Sequence, residues 1–183
     1  MPAFIAFLRA INVGGRFAKM ADLRAGLLSK GFGEVESYIQ SGNLRFTSSL
    51  QSTAEVELAL ERAMLELCGF TVRTLVRTPV QLGELSSYGA GLAAPLDGEP
   101  RRYVTFLKND PDDDFTAAMN GWDVAGERAN VNGREVFLWF THPSHEAKLS
   151  NAWIERRGVV ATTRDWKVVS VLGQKWGVCR TQP

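Results

Sequence analysis

Residues Phe4 to Leu8 form an almost unbroken apolar run, the pattern of a central strand covered on both faces. Met20, Leu23, Leu27 and Leu28 then recur at helical spacing up to Lys30-Gly31, and Phe32 is placed to fold back on the last turn, which predicts a helix of about three turns. Val35, Ser37 and Ile39 alternate with Glu36, Tyr38 and Gln40. After Ser41-Gly42, Leu44 and Phe46 alternate with Asn43, Arg45 and Thr47, so the two runs read as a hairpin. Ser52-Thr53-Ala54-Glu55 is a capping box that opens a second helix, whose stripe of Val56, Ala59, Leu60, Ala63, Met64 and Leu67 stops at Gly69-Phe70. A strand over Thr71 to Arg77 completes the order strand, helix, strand, strand, helix, strand.

The stretch from Pro79 to Pro100 is rich in Gly, Ala, Pro and Ser, with Val80, Leu82 and Leu85 leaving room for one short helix. Beyond it the order repeats. Arg102 to Leu107 reads as a strand and Asp112 to Met119 as an acid-started helix. Glu127 to Val131 and Arg134 to Phe140 are joined by Asn132-Gly133, a strong hairpin signal. A helix over Ser144 to Arg157, opened by Pro143 and Ser144, a short strand over Val159 to Thr162 and a last helix from about Arg164 to Trp176 follow. Two βαββαβ units in succession predict an α+β protein with a duplicated ferredoxin-like fold, antiparallel sheets and a C-terminal helix. Its expected parts are a first half over 1–78, a linker with a short helix over 79–100, and a second half plus C-terminal helix over 101–183. A lone unit of this kind leaves one sheet face bare, so the apolar first strand calls for cover from the other half or the last helix, with a ligand groove between the halves.

A hydrophobic content of 45% in 183 residues suits a folded protein with one sizeable core or two smaller ones. With 21 basic and 20 acidic residues the formal net charge is +1, so no global field gathers nucleic acid or anionic membrane, and any polyanion site has to be a local patch. The start, Met1-Pro2-Ala3, enters a strand too short and too uncharged to be a signal peptide, and no run approaches the roughly 20 apolar residues that span a bilayer. Cys68 and Cys179 stand without a CxxC or zinc spacing, which fits a reducing compartment although a disulfide between them is left open. A cytoplasmic protein with no membrane partner is the expectation.

Chemistry concentrates in polar turns at strand ends. Arg9, Asn12, Gly14 and Gly15 follow a strand and precede a helix, where backbone N–H groups often hold phosphate, and Lys19 adds a cation, yet the spacing is neither a Walker loop nor GxGxxG. Gln40, Ser41 and Asn43 surround the first hairpin turn, where such residues also serve turn chemistry alone. Thr163 and Arg164 form a third cluster, with Thr163 able to cap the last helix and leave Arg164 to pair with a carboxylate or phosphate, while Trp166 packs inward. Arg45, Arg73 and Arg77, with Arg9 and Tyr38, can share a sheet face suited to single-stranded nucleic acid, although the third strand lacks the aromatic run of an RNA-recognition sheet. His142 and His145 lack the partners of a metal site, and no metal is expected. Asp112, Asp113 and Asp114 suit a helix N-terminus. No cofactor fingerprint is present, and no catalytic residue stands out.

Four runs in order carry a resemblance: Phe7-Leu8-Arg9-Ala10-Ile11-Asn12-Val13-Gly14-Gly15, Met20-Ala21-Asp22-Leu23-Arg24, Tyr38-Ile39-Gln40-Ser41-Gly42-Asn43 and Ala161-Thr162-Thr163-Arg164-Asp165-Trp166, with Leu149-Ser150-Asn151-Ala152-Trp153 before the last. Together they resemble the uncharacterised bacterial family catalogued as domain of unknown function 1697, over nearly the whole chain. The resemblance implies a duplicated ferredoxin-like fold and marks the motif residues as a site, without supplying an activity. Ala10 stands where the family usually has Gly, and the stretch from Gly15 to Met20 is slightly shorter than usual. The expected function is binding of an anionic ligand, a nucleotide or a nucleic-acid phosphate, by Arg9, Asn12, Gly14, Gly15, Gln40, Ser41, Asn43, Thr163 and Arg164. A metal-independent enzyme acting on a small anionic metabolite and a scaffold without a small ligand are the alternatives.

Overall fold

A computed structural model describes residues 1–12, 14–15 and 17–178. The order is β1 (Ala3–Leu8), α1 (Met20–Ser29), β2 (Gly33–Tyr38), β3 (Asn43–Thr47), α2 (Thr53–Cys68) and β4 (Thr74–Arg77), then α3 (Pro79–Gly91). It continues with β5 (Arg101–Leu107), α4 (Asp113–Asn120), β6 (Glu127–Asn132), β7 (Glu135–Phe140), α5 (Asn151–Glu155), β8 (Ala161–Asp165) and α6 (Trp166–Trp176). Two four-stranded sheets form, ordered β2-β3-β1-β4 and β6-β7-β5-β8, and every neighbouring pair is antiparallel. The identical order in both sheets is the duplicated ferredoxin-like arrangement. No helix among the described residues is long and apolar enough to cross a membrane.

The chain divides by its contacts into two compact units, Met1–Glu84 with the segment from Leu172 on, and Leu85–Val171. The divisions fall inside α3 and α6. The stretch expected to be a linker is mostly the 13-residue helix α3, and the end of the C-terminal helix groups with the first unit.

In the first unit Phe4, Ala6 and Leu8 point to one face of the sheet and form a core with Leu23 and Leu27 of α1 and Leu60 and Met64 of α2. Both helices end as their sequences direct. Gly31 takes φ +90° and the Phe32 N–H donates to the Leu27 carbonyl, which turns the ring into the core. Ser52 and Glu55 make the reciprocal capping box, and Gly69 closes α2 in the left-handed region. Gly26 lets the two helices meet, since a Cβ there would stand 2.5 Å from a Leu67 methyl.

The edge strand β4 is protected. Glu57 and Glu61, one turn apart on α2, accept from the N–H groups of Val76 at 2.8 Å and Thr74 at 2.9 Å, occupying donors that another strand would otherwise seek. The second face of the sheet is also covered, since Ile5, Phe7, Leu75 and Arg77 are buried. Glu36 of β2 draws in the last turn of α6, accepting from Trp176 Nε1 at 3.2 Å and lying 3.6 Å from Lys175 Nζ.

In the second unit Leu107, Phe115, Met119, Leu138, Phe140 and Ile154 form the core between the sheet and α4 and α5. Asp112 caps α4 by accepting from the Phe115 N–H, and Gly133 turns the β6–β7 hairpin at φ +59°. Two expectations fail here. Residues 144–150 are not helical, and α5 is only the five residues Asn151–Glu155, capped by Ser150. The reason is Glu127, which is 1% exposed and takes the N–H groups of Lys148 at 2.7 Å and Leu149 at 3.0 Å, donors that a helix would have turned inward on itself. The last strand also runs on through Thr163, Arg164 and Asp165, because these residues pair with Thr105, Val104 and Tyr103 of β5.

Candidate functional site

The first two polar turns come together in the unit that holds β1. The Leu8 N–H donates to the Gly42 carbonyl at 2.8 Å, joining the end of β1 to the β2–β3 turn. Asn12 ties the remainder. Its Nδ2 donates to the Gln40 carbonyl at 3.0 Å, and its Oδ1 accepts from the Ala18 N–H at 2.9 Å. Beneath them, fully buried Asn43 donates through Nδ2 to the Tyr38 carbonyl at 3.1 Å and to Ser41 Oγ at 3.0 Å. The Arg9 N–H is held by the Arg73 carbonyl at 2.8 Å. Thus Arg9, Asn12, Gly14, Gly15, Gln40, Ser41 and Asn43 share one end of the sheet, with Asn12 and Asn43 acting as clamps.

The backbone here is unusual. Ala10, Asn12 and Ile39 have φ of +54°, +58° and +50°, and Gly14, Gly15 and Gly42 also lie in the left-handed region. A β-branched residue such as Ile39 pays for that geometry, and strain of this kind persists only where surrounding contacts enforce it. Gly14 and Gly15 have nothing within 4 Å of where a Cβ would stand, so their backbone is presented to solvent. Val13 and Arg16 lie outside the described residues. Downstream, Lys19 occupies the N-cap of α1 with no side-chain cap hydrogen bond, and Asp22 is the acidic residue in the first turn.

Asn12→Ala removes both hydrogen bonds and places alanine in a left-handed conformation. The expected loss is about 2 kcal/mol, read as a lower urea midpoint, with Asn12→Asp in between because it keeps the acceptor for the Ala18 N–H.

The third cluster corrects the expectation for Thr163 and Arg164. They are strand residues, and consecutive strand residues point to opposite faces. Thr163 Oγ1 donates to Asn151 Oδ1 at 2.7 Å and does not cap α6; Asp165 does, accepting from the Lys167 N–H at 2.8 Å. Arg164 is 8% exposed, and its Nη1 donates to Thr162 Oγ1 at 2.8 Å and the Thr163 carbonyl at 2.9 Å. Burial pushes its guanidinium pKa down to about 10. Arg164 is therefore a largely buried, hydrogen-bonded cation of the second unit.

On the basic sheet face Arg45, Arg73 and Arg77 are buried or paired with carboxylates. Arg77 is 1% exposed, Arg45 pairs with Glu36 at 3.0 Å and Glu34 at 3.7 Å, and Arg73 pairs with Glu61 at 3.4 Å. His142 stacks on Phe140 and lies 3.4 Å from Glu127. Trp166 packs against Phe137, with Arg102 over its ring. Cys68 is a free thiol, raised by burial, and Cys179 lies outside the described residues.

A family model described as a protein of unknown function, DUF1697, matches residues 1–137. Among solved structures, a conserved bacterial protein from Streptococcus pneumoniae, SP0830, is similar with a TM-score of 0.70 and 25% identity, over 96% of this chain and 98% of that one. No curated protein matches the chain.

Proposed function

The chain belongs to the DUF1697 family, whose description names no activity, and from the site itself we propose that it is a cytoplasmic binding protein for an anionic ligand, a nucleotide or a nucleic-acid phosphate, held at the β1–α1 loop. The observation that carries this reading is the start of α1. A helix N-terminus bears partial positive charge, and an acceptor side chain ordinarily caps it. Here a lysine stands at that position with no capping bond, directly after the loop that exposes Gly14 and Gly15. Lys19 and the helix end repel each other mildly, Asp22 offsets this only in part, and an anion between loop and helix would satisfy both. Arg9 stands at the strand end and Gln40 and Ser41 on the joined turn, so side-chain donors border the same place.

The proposal is tested by native mass spectrometry of gently purified protein, followed by titration with nucleoside monophosphates and with a short single-stranded oligonucleotide. A phosphate-bearing adduct is expected, with affinity that falls as salt rises and drops about three- to tenfold in Lys19→Ala. Which of the two probes binds identifies the source of the phosphate. Binding insensitive to salt and to Lys19→Ala would overturn the reading. A clean apo mass with no titration response would favour the scaffold reading, which the internal bonds of Asn12, Ser41 and Asn43 support.

A further inference from the structure

A cavity of about 370 Å³ lies wholly within the unit Leu85–Val171, between the sheet and the segment around Ser150. Tyr103 and Phe140 form its aromatic wall, with ring centroids 5.5 Å apart, and buried Leu149 lies beside them. Its other polar lining residues are Ser150, Asn151, Thr163, Arg164, Asp165 and, exposed at the mouth, Ser144.

The hydrogen bonds beneath the cavity assign the Asn151 amide. Thr105 is fully buried and its hydroxyl meets only Thr163 Oγ1, at 2.7 Å, among the described residues. A buried hydroxyl donates its proton where it can, so Thr105 donates to Thr163 and Thr163 donates to Asn151 Oδ1. That chain turns Asn151 Nδ2 away from the threonines as a donor with no other partner among the described residues. Asp165 engages only Oδ1, with the Lys167 N–H, and the Tyr103 hydroxyl makes no hydrogen bond among them. The cavity thus offers a donor from Asn151, an acceptor from Asp165 and a hydroxyl that can act as either.

Charge narrows the ligand. Asp165 is the one carboxylate on the wall, and although Arg164 also borders the cavity, its Nη1 is engaged by Thr162 Oγ1 and the Thr163 carbonyl, so the donor-and-acceptor pattern of Asn151 and Asp165 sets the chemistry here. We propose that this cavity binds a neutral planar heterocycle carrying an N–H donor beside an acceptor on one edge, the chemistry of a nucleobase, packed on Tyr103 and Phe140, donating to Asp165 and accepting from Asn151. The site is independent of the anion loop.

Unphosphorylated nucleosides are the probe. Saturation-transfer NMR with adenosine, guanosine, cytidine and uridine on the full chain is expected to show transfer to base protons in preference to ribose protons for at least one of them. Ser144→Trp, a change at an exposed position, should abolish the transfer by filling the mouth. Asn151→Asp keeps the acceptor for Thr163 but replaces the donor with a like-charged neighbour for Asp165, and should weaken binding about tenfold; Tyr103→Phe should weaken it about fivefold. Unchanged urea midpoints confirm that the variants fold. Absence of transfer from all four nucleosides at millimolar concentration, or transfer that persists in both Ser144→Trp and Asn151→Asp, would overturn the proposal. Lys19→Ala should leave nucleoside binding unchanged, which separates this result from that of the phosphate titration.

Discussion

Replacing Glu127 with alanine is expected to destabilise the protein by about 3–5 kcal/mol, the range for removing one member of a buried, fully hydrogen-bonded charge network. The carboxylate is 1% exposed and gathers the Lys148 and Leu149 N–H groups and, at 3.1 Å, Trp122 Nε1. Alanine leaves these donors buried without an acceptor and frees the 141–150 segment from its anchor. Glu127→Gln retains the shape and one acceptor but turns amide hydrogens toward the remaining donors, so about half that loss is expected. Urea unfolding followed by tryptophan fluorescence suits the measurement, because Trp122 and Trp153 pack edge to face at 4.8 Å near this anchor. A loss below about 1 kcal/mol for alanine would mean that water replaces the carboxylate and that the segment is held by other contacts.

The second large effect concerns the two hairpin glycines. Gly42 and Gly133 turn equivalent hairpins of the two repeats at φ +76° and +59°. Their surroundings differ. A Cβ on Gly42 would stand 2.5 Å from Ile11 Cγ2 and 2.8 Å from Leu8 Cβ, whereas nothing lies within 4 Å of one on Gly133. Gly133→Ala should therefore cost only the left-handed backbone penalty, about 1 kcal/mol, and Gly42→Ala that penalty plus overpacking, about 3 kcal/mol in all. The larger variant should also break the Leu8–Gly42 bond that joins the candidate turns, so phosphate binding should be lost with it. Equal costs at the two positions would show that the close approach of β1 to the turn is not what requires glycine there.

Most of the element order was legible because its signals are local. The capping box at Ser52 and Glu55, the stops at Gly31 and Gly69 and the Asn132-Gly133 turn each act between residues a few positions apart, and each forms as its pattern directs. The candidate turns of the first repeat were legible for the same reason, since strand ends followed by glycines and polar residues mark loops. Failures cluster where a distant partner intervenes. The 144–150 segment reads as helix until Glu127, more than twenty residues back, removes its donors. Asn151, which borders the cavity of the Leu85–Val171 unit, had a signal only in the motif Leu149-Ser150-Asn151, and Tyr103 had none, because a cavity arises from which faces meet.

Thus the sequence by itself determined the repeated βαββαβ order, its caps and the turns that join it, since propensity, periodicity and capping depend on neighbours along the chain. Only the tertiary structure decided which polar residues stay exposed and which are internal. Pairing with β5 extends the last strand through Thr163 and Arg164 and sends them to opposite faces, and the sheet buries Arg77 and Arg164 while leaving Gly14 and Gly15 open. Burial and strand register are properties of packed faces, and residues far apart in sequence create them together.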